Sequence, residues 1–277
     1  MSRLFAAISC LLLAVGARAG SPQRIVSLNF CTDQLLLELV SPQRIASLTW
    51  LARTDGNAQQ RALAMRLPAN RGSAEEVLAA HPDLVLAGRY TTSTTRALLR
   101  RVGINVLEVD AVQDWDGIRR VTREVAAAVG ESARGEAMLA HMDAQLARIE
   151  SLPSVTPVRA IGWSGAAGDV PGEDTLFNTI LTTAGGVNIA ARPAGRSGFD
   201  LEQVVRARPR LLLQGTSYAE DRGLRSGATH HPVLRALPGL TVMEYPEGPW
   251  ACGVPAAADH ALELAGKLRA LSVASPY

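Results

Sequence analysis

Apolar positions between 131 and 151 recur every three to four residues. Met138, Met142, Leu146 and Ile149 share one face of a helix, and Glu136, Asp143, Gln145 and Arg148 fall on the other. Pro153 and Pro157 end it, since neither can continue a helical hydrogen-bond ladder. The chain reads alike on both sides of this helix. Residues 73–88 run SAEEVLAAHPDLVLAG and residues 200–215 run DLEQVVRARPRLLLQG. Without a gap, Glu75 meets Glu202, Val77 meets Val204, Ala80 meets Ala207 and Pro82 meets Pro209. Leu84, Leu86 and Gly88 then meet Leu211, Leu213 and Gly215. The repeat predicts two similar halves about one long helix.

Aliphatic and β-branched runs predict strands at 24–28, 44–48, 84–86, 104–109, 158–162, 211–213 and 240–245. Helical spacing covers 34–40, 58–65, 73–80, 95–102, 115–129, 176–184, 201–207, 233–237 and 256–271. Thr32 or Asp33 is placed to cap the first of these, and Ser73 with Glu76 forms a capping box on the third. Residues 67–72 read as a connection, 163–172 as a Gly-rich loop and 247–255 as a loop. Strands alternating with helices indicate parallel sheets covered on both faces. The expected architecture is α/β, two lobes with parallel-type sheets flanked by helices and joined by a single long helix. Residues 20–130 form the N-terminal lobe, 131–152 the bridging helix and 153–277 the C-terminal lobe. One stiff crossing limits hinge motion, which predicts a cleft formed before its ligand arrives.

The first nineteen residues stand apart. Arg3 precedes an apolar run from Leu4 to Val15, too short to span a membrane, and Ala17-Arg18-Ala19 follows as a small-x-small site. This is a secretory signal peptide (1–19). Its removal takes Arg3 and Arg18 from the 28 bases and nothing from the 26 acids, so the two balance. A neutral chain argues against nucleic acid, which needs a basic stripe. Cys31 and Cys252 remain, an even pair in an oxidising compartment.

Three features together resemble the periplasmic binding proteins that serve ABC importers of vitamin B12 and ferric siderophores. One is Arg24-Ile-Val-Ser-Leu28 directly after the signal peptide. The second is the repeated Glu-x-Val…Pro-x-Leu-x-Leu-x-Gly unit. The third is Ala184-Gly-Gly-Val-Asn188, similar to the family's Gly-Gly-x-Asn. The resemblance covers essentially the whole mature chain. It implies a monomeric periplasmic carrier that makes and breaks no bond. Its partners would be a permease and ATPase at the inner membrane, with no nucleic acid. It also implies that Glu75 and Glu202, at the outer tips of the lobes, dock onto permease arginines. Both lie early in a helix, where the dipole favours a carboxylate, and such charges set docking register and on-rate.

In this architecture loops at the C-terminal ends of the strands line the cleft. They carry Asn29, Cys31, Trp50, Arg89, Tyr90, Trp163 and Trp250. Aromatic residues make up only 4% of the chain, yet four fall here, while the strands use aliphatics. Such rings grip a flat apolar ligand. By similarity to the B12 binders, Trp50, Tyr90 and Trp250 occupy cleft positions. Arg89, Arg192 and Arg196 are candidates for acidic groups of the ligand. Cys31 and Cys252 both fall in cleft loops, and three readings stay open: a disulfide locking the lobes, free thiols near the ligand, or unrelated packing. None of the five histidines has metal-ligand spacing, so no protein-made metal site or resident cofactor is expected. Any cobalt or iron comes with the ligand. A corrinoid ranks first, then a ferric siderophore, then haem. The rival reading is a secreted α/β-hydrolase using Ser164, with Asp200 and His260. Its elbow is broken, because Gly162-Trp-Ser-Gly165 is followed by Ala166 where the motif has glycine after one intervening residue.

Overall fold

The computed structural model describes residues 20–54, 56–163, 170–190, 201–216 and 231–273. The expected signal peptide, Ser164, Arg192, Arg196, Asp200 and His230 lie outside the described residues. Two sheets organise the rest, and every strand pair in them is parallel. The first contains β1 (Ile25–Ser27), β2 (Ile45–Thr49), β3 (Ala69–Asn70), β4 (Leu84–Gly88) and β5 (Val106–Val109), in the order β3-β2-β1-β4-β5. The second contains β6 (Val158–Trp163), β7 (Gly186–Asn188), β8 (Leu211–Thr216) and β9 (Thr241–Pro246), in the order β7-β6-β8-β9.

Helices cover both faces of each sheet. In the first half they are α1 (Phe30–Leu39), α2 (Ala58–Ala64), α3 (Ala74–Ala79), α4 (Ser93–Arg101) and α5 (Trp115–Ala128). Bridging helix α6 (Ser132–Glu150) follows, then α7 (Leu176–Thr183), α8 (Leu201–Ala207), α9 (Pro232–Arg235), α10 (Glu247–Ala251) and α11 (Ala257–Val273). Successive strand residues point to opposite faces, and both faces are buried here, so the strands read as unbroken apolar runs. Ile25, Leu84 and Leu86 pack with Leu36 and Leu39 of α1 and Val121 and Val125 of α5. Val26 and Val85 pack on the opposite face with Val77 of α3 and Leu99 of α4. The second sheet repeats the scheme. Ala160, Leu211 and Leu213 meet Phe177 and Ile180 of α7 and Leu264 of α11. Ile161 and Leu212 meet Val204 of α8 and Leu234 of α9.

The sequence repeat is a structural repeat down to single hydrogen bonds. β4 lies beside β1 as β8 lies beside β6. Arg24 Nε donates to the Ala80 carbonyl at 3.1 Å, and Arg159 Nη2 donates to the Ala207 carbonyl at 3.0 Å. Each guanidinium thus satisfies a carbonyl left over at a helix C-terminus. One residue later the backbone turns left-handed in both copies, at His81 (φ 46°) and Arg208 (φ 48°), and a proline follows. The chain then enters the next strand through equivalent bonds, Asp83 N–H to Arg24 O and Arg210 N–H to Arg159 O, at 3.0 and 2.8 Å.

Helix α6 belongs to both halves. Leu139, Met142 and Ile149 are buried in the core of the second sheet, with Leu146 beside them, while Met138 leans on the core of the first. The expected stripe therefore gains Leu139, and Met138 and Leu146 are only half-buried. Arg119–Asp143 and Arg123–Glu136 ion pairs of 2.6 and 2.7 Å hold its exposed side to α5. Three local expectations need correction, and one edge strand, β7, goes beyond them. Helix α1 begins at Phe30, because Asn29 caps it in place of Thr32 or Asp33. Residues 67–72 contain edge strand β3, and the Gly-Gly motif opens edge strand β7. Residues 247–251 are helical, not loop.

A left-handed backbone costs a side-chain-bearing residue about 1–2 kcal/mol that glycine avoids. His81 and Arg208 are both exposed. His81→Gly and Arg208→Gly are each expected to stabilise the protein by up to about 1 kcal/mol, since glycine's larger unfolded-state entropy offsets part of the relief. Chemical denaturation measures it; a loss of stability in both variants would contradict the assignment.

Candidate functional site

Because the strands of each sheet are parallel, the loops leaving them gather on one edge. On the first sheet this edge carries Asn29 after β1, Trp50 after β2, Arg71 after β3, and Arg89 and Tyr90 after β4. On the second sheet, residues 164–169, 191–200 and 217–230, which follow β6, β7 and β8 in sequence, lie outside the described residues. The two halves meet where the chain leaves β5 and β9. Val112 packs into both cores. Gly253 lies so close to it that an added Cβ would sit 2.3 Å from the Val112 side chain, so only glycine fits. Thr179 Oγ1 donates to the Gln113 carbonyl at 2.7 Å, and Trp115 Nε1 donates to Thr183 Oγ1 at 3.0 Å.

Cys31 and Cys252 form a disulfide across this seam, with Cα atoms 4.9 Å apart and 221 residues between them in sequence. Of the three readings left open, the structure selects the lock. The free-thiol reading is corrected, and Cys31 enters the site as a tether and not as a ligand group. Cys252 and Val254 are buried in the core of the first sheet, although the chain has just come from the second. The lobes are therefore joined twice, by α6 and by this seam.

The expected cleft residues divide. Trp50 and Tyr90 project, with exposures of 43% and 82%, and Arg89 is exposed beside Tyr90. Asn29 turns back on its own chain. Its Oδ1 accepts from the Cys31 and Thr32 N–H groups at 2.9 and 3.4 Å, and its side chain lies where a Cβ on Gly88 would be. In this structure its side chain, half-buried, caps the helix and packs against Gly88. Trp163 and Trp250, expected in the cleft, are instead buried in the core in this structure. Trp163 ends β6 with its indole among Val170, Ala190, Leu212 and Leu234. Trp250 lies on α10, which turns its ring inward onto Phe177 and Tyr245 at centroid distances of 5.4 and 4.8 Å. Glu75 and Glu202 are exposed in the first turns of α3 and α8, and Glu202 pairs with Arg206 at 2.8 Å. Among the described residues no three His, Cys, Asp or Glu side chains are grouped to hold a metal ion.

Two residues that shape this edge were not expected from sequence. Asp33, fully buried in the first turn of α1, accepts from the Thr49 N–H at 3.1 Å, and its second oxygen meets the Thr49 hydroxyl. It pins the end of β2 one residue before Trp50. Burial pushes its pKa from 3.8 up to about 8, against the opposing effect of hydrogen bonds from Ser27 and Thr49. The second is Arg71, whose guanidinium lies 5.5 Å from the centroid of the Trp50 ring. It follows a two-residue strand, too short to show any periodicity in sequence.

Between pH 4 and 8 the folded protein holds a proton on Asp33 that the unfolded chain has released. Stability from this group is fully present below about pH 4, falls as pH rises to about 8, and is flat above it. Asp33→Asn keeps the shape and removes the titration, so its unfolding midpoint should lose this decline. An unchanged slope would contradict the assignment. Cys31→Ser or full reduction removes the tether and should lower stability by about 2–5 kcal/mol; unfolding with and without reductant measures it, and equal midpoints would count against the lock.

The sequence profile of the periplasmic binding protein family matches residues 25–222. A cobalamin-binding protein of Halobacterium salinarum is 27% identical over 201 residues, which cover 71% of this chain and 54% of that protein. The chain thus spans about half the length of the curated relatives it matches. Among solved structures, the periplasmic heme-binding protein RhuT from Roseiflexus sp. RS-1, in apo form, superposes with a TM-score of 0.73 at 23% identity, covering 91% of this chain and 100% of that one. The periplasmic vitamin B12 binding protein BtuF of Vibrio cholerae superposes at 0.65 with 15% identity, covering 91% and 98%. At these identities the two structures speak for the fold, which is the two-sheet arrangement described above. The profile match covers most of the chain, and the chain belongs to the periplasmic binding protein family.

Proposed function

We propose that the chain is the periplasmic substrate-binding component of an ABC importer. It captures a planar metal chelate in the cleft between its lobes and delivers it to a permease and its ATPase. The observation that carries this reading is the pair of solvent-facing rings, Trp50 and Tyr90, on the cleft edge of a body whose lobes are tied twice. Burying the exposed part of an aromatic side chain contributes about 1–3 kcal/mol, so two such rings supply much of the grip on a flat apolar ligand. The tether argues that this cleft is open before the ligand arrives, so little binding energy goes into closing it. A corrinoid ranks first, supported by the cobalamin-binding relative; a ferric siderophore and haem follow. The ligand brings its own cobalt or iron. Glu75 and Glu202, exposed at repeat-related positions, are the proposed docking pair for the permease.

Titration of the chain from Gly20 with cyanocobalamin, a ferric hydroxamate, a ferric catecholate and haem, read by tryptophan quenching, tests this. Saturable binding is expected, tightest for cyanocobalamin. Trp50→Ala should weaken it about tenfold, equivalent to about 1.4 kcal/mol. Trp250→Ala should instead destabilise the fold by about 3–5 kcal/mol, as loss of a core aromatic does. No saturable binding by any of the four would overturn the ligand class. Ester hydrolysis lost in Ser164→Ala would overturn the carrier role itself.

A further inference from the structure

The exposed indole of Trp50 already has a partner, and that partner is a cation. β2 and β3 are paired in register at Thr49 and Asn70. Trp50 and Arg71 are therefore the first residues beyond the ends of two adjacent parallel strands. This places the guanidinium over the ring at 5.5 Å. The Arg71 backbone is anchored, since its N–H donates to Glu76 Oε2 at 2.9 Å. The same oxygen accepts from the Ser73 N–H at 3.2 Å, which occupies that carboxylate with backbone donors. The side chain is exposed, and among the described residues it joins none of the close ion pairs, although, after the backbone hydrogen bonds, its nearby charge helps hold the Glu76 carboxyl below its ordinary pKa.

Other arginines of this lobe are differently employed. Arg53 donates to the Leu67 carbonyl, and Arg96 donates to the Gly88 and Thr91 carbonyls and pairs with Glu108. Arg44 is bound to Glu131 and the Val129 carbonyl. Arg71 instead keeps its planar fork of donors beside a ring face. An exposed cation–π contact is weak and easily exchanged. A flat ligand stacking on Trp50 can take over that face and leave the guanidinium at the ligand's rim. There the fork matches an oxyanion bidentately, which an amide cannot reproduce.

Taking the cleft reading above as its basis, we propose that Arg71 is a specificity-determining contact. It selects planar chelates that carry an oxyanion at the rim, either a carboxylate or a phosphodiester, over those whose rim groups are neutral. Trp50 supplies the stacking surface and Arg71 the charge discrimination.

Two matched pairs of probes separate the oxyanion sources. Cyanocobalamin carries a phosphodiester that dicyanocobinamide lacks. Haem carries two propionates that haem dimethyl ester masks. Each is titrated against the wild-type protein, Arg71→Met and Arg71→Lys. The expected result is about a tenfold loss in Arg71→Met for the anionic member of at least one pair, with less than about a twofold change for its neutral counterpart. The pair that responds names the oxyanion. Arg71→Lys should recover only part of the loss, because it restores charge without the fork. If all four probes weaken equally in Arg71→Met, or none changes, Arg71 does not discriminate and this inference falls while the cleft reading stands. If the wild-type protein binds none of the four, both fall together.

Discussion

The double tether between the lobes is the constraint from which the rest of the site follows. A single helix, α6, carries the chain from one sheet to the other, and its apolar residues are divided between the two cores. The Cys31–Cys252 disulfide then closes a second connection, between the first turn of α1 on one side and the end of α10 on the other. Around it the chain is packed tightly enough that Gly253 tolerates no side chain against Val112. Two attachments remove the rotation that one would permit. On the proposed carrier reading, binding then depends on which side chains already face the cleft, with little help from rearrangement of the lobes.

What faces the cleft is set by parallel strands and by what stabilises their ends. Asp33 holds Thr49, and Trp50 follows at once. Asn29 caps α1 and fits against Gly88, and Arg89 and Tyr90 follow that glycine. Each projecting ring therefore stands next to a residue committed to holding the backbone. This division explains why chemically similar residues on neighbouring loops differ in role. Trp50 stands outside the core, whereas Trp250, placed on a short helix, completes an aromatic cluster with Phe177 and Tyr245.

Much of the fold was legible in the sequence. The Glu-x-Val…Pro repeat maps onto α3–β4 and α8–β8 with equivalent hydrogen bonds and a left-handed residue at the same position in both copies. The Ser73–Glu76 capping box is formed as its spacing predicts. Strands β3 and β7 were not legible, because two or three residues carry no period and such edges are stabilised by their neighbours. Asn29 was passed over as a cap because Thr32 and Asp33 offer the same chemistry a few residues later, and tertiary contacts decide among them. The candidate site was less legible than the fold. Sequence places Trp50, Tyr90, Trp163 and Trp250 alike at strand ends, and only packing separates rings that project from rings that are buried. The disulfide and the Arg71–Trp50 pair depend on distances across the fold, which no local pattern encodes.

The central claim is a cleft held open by two tethers and filled without closure. Small-angle X-ray scattering of the oxidised protein, free and saturated with cyanocobalamin, tests it most directly. The account predicts scattering curves that give the same radius of gyration in both states. A measurable contraction on loading, with the disulfide intact, would show the lobes closing around the ligand and would contradict it.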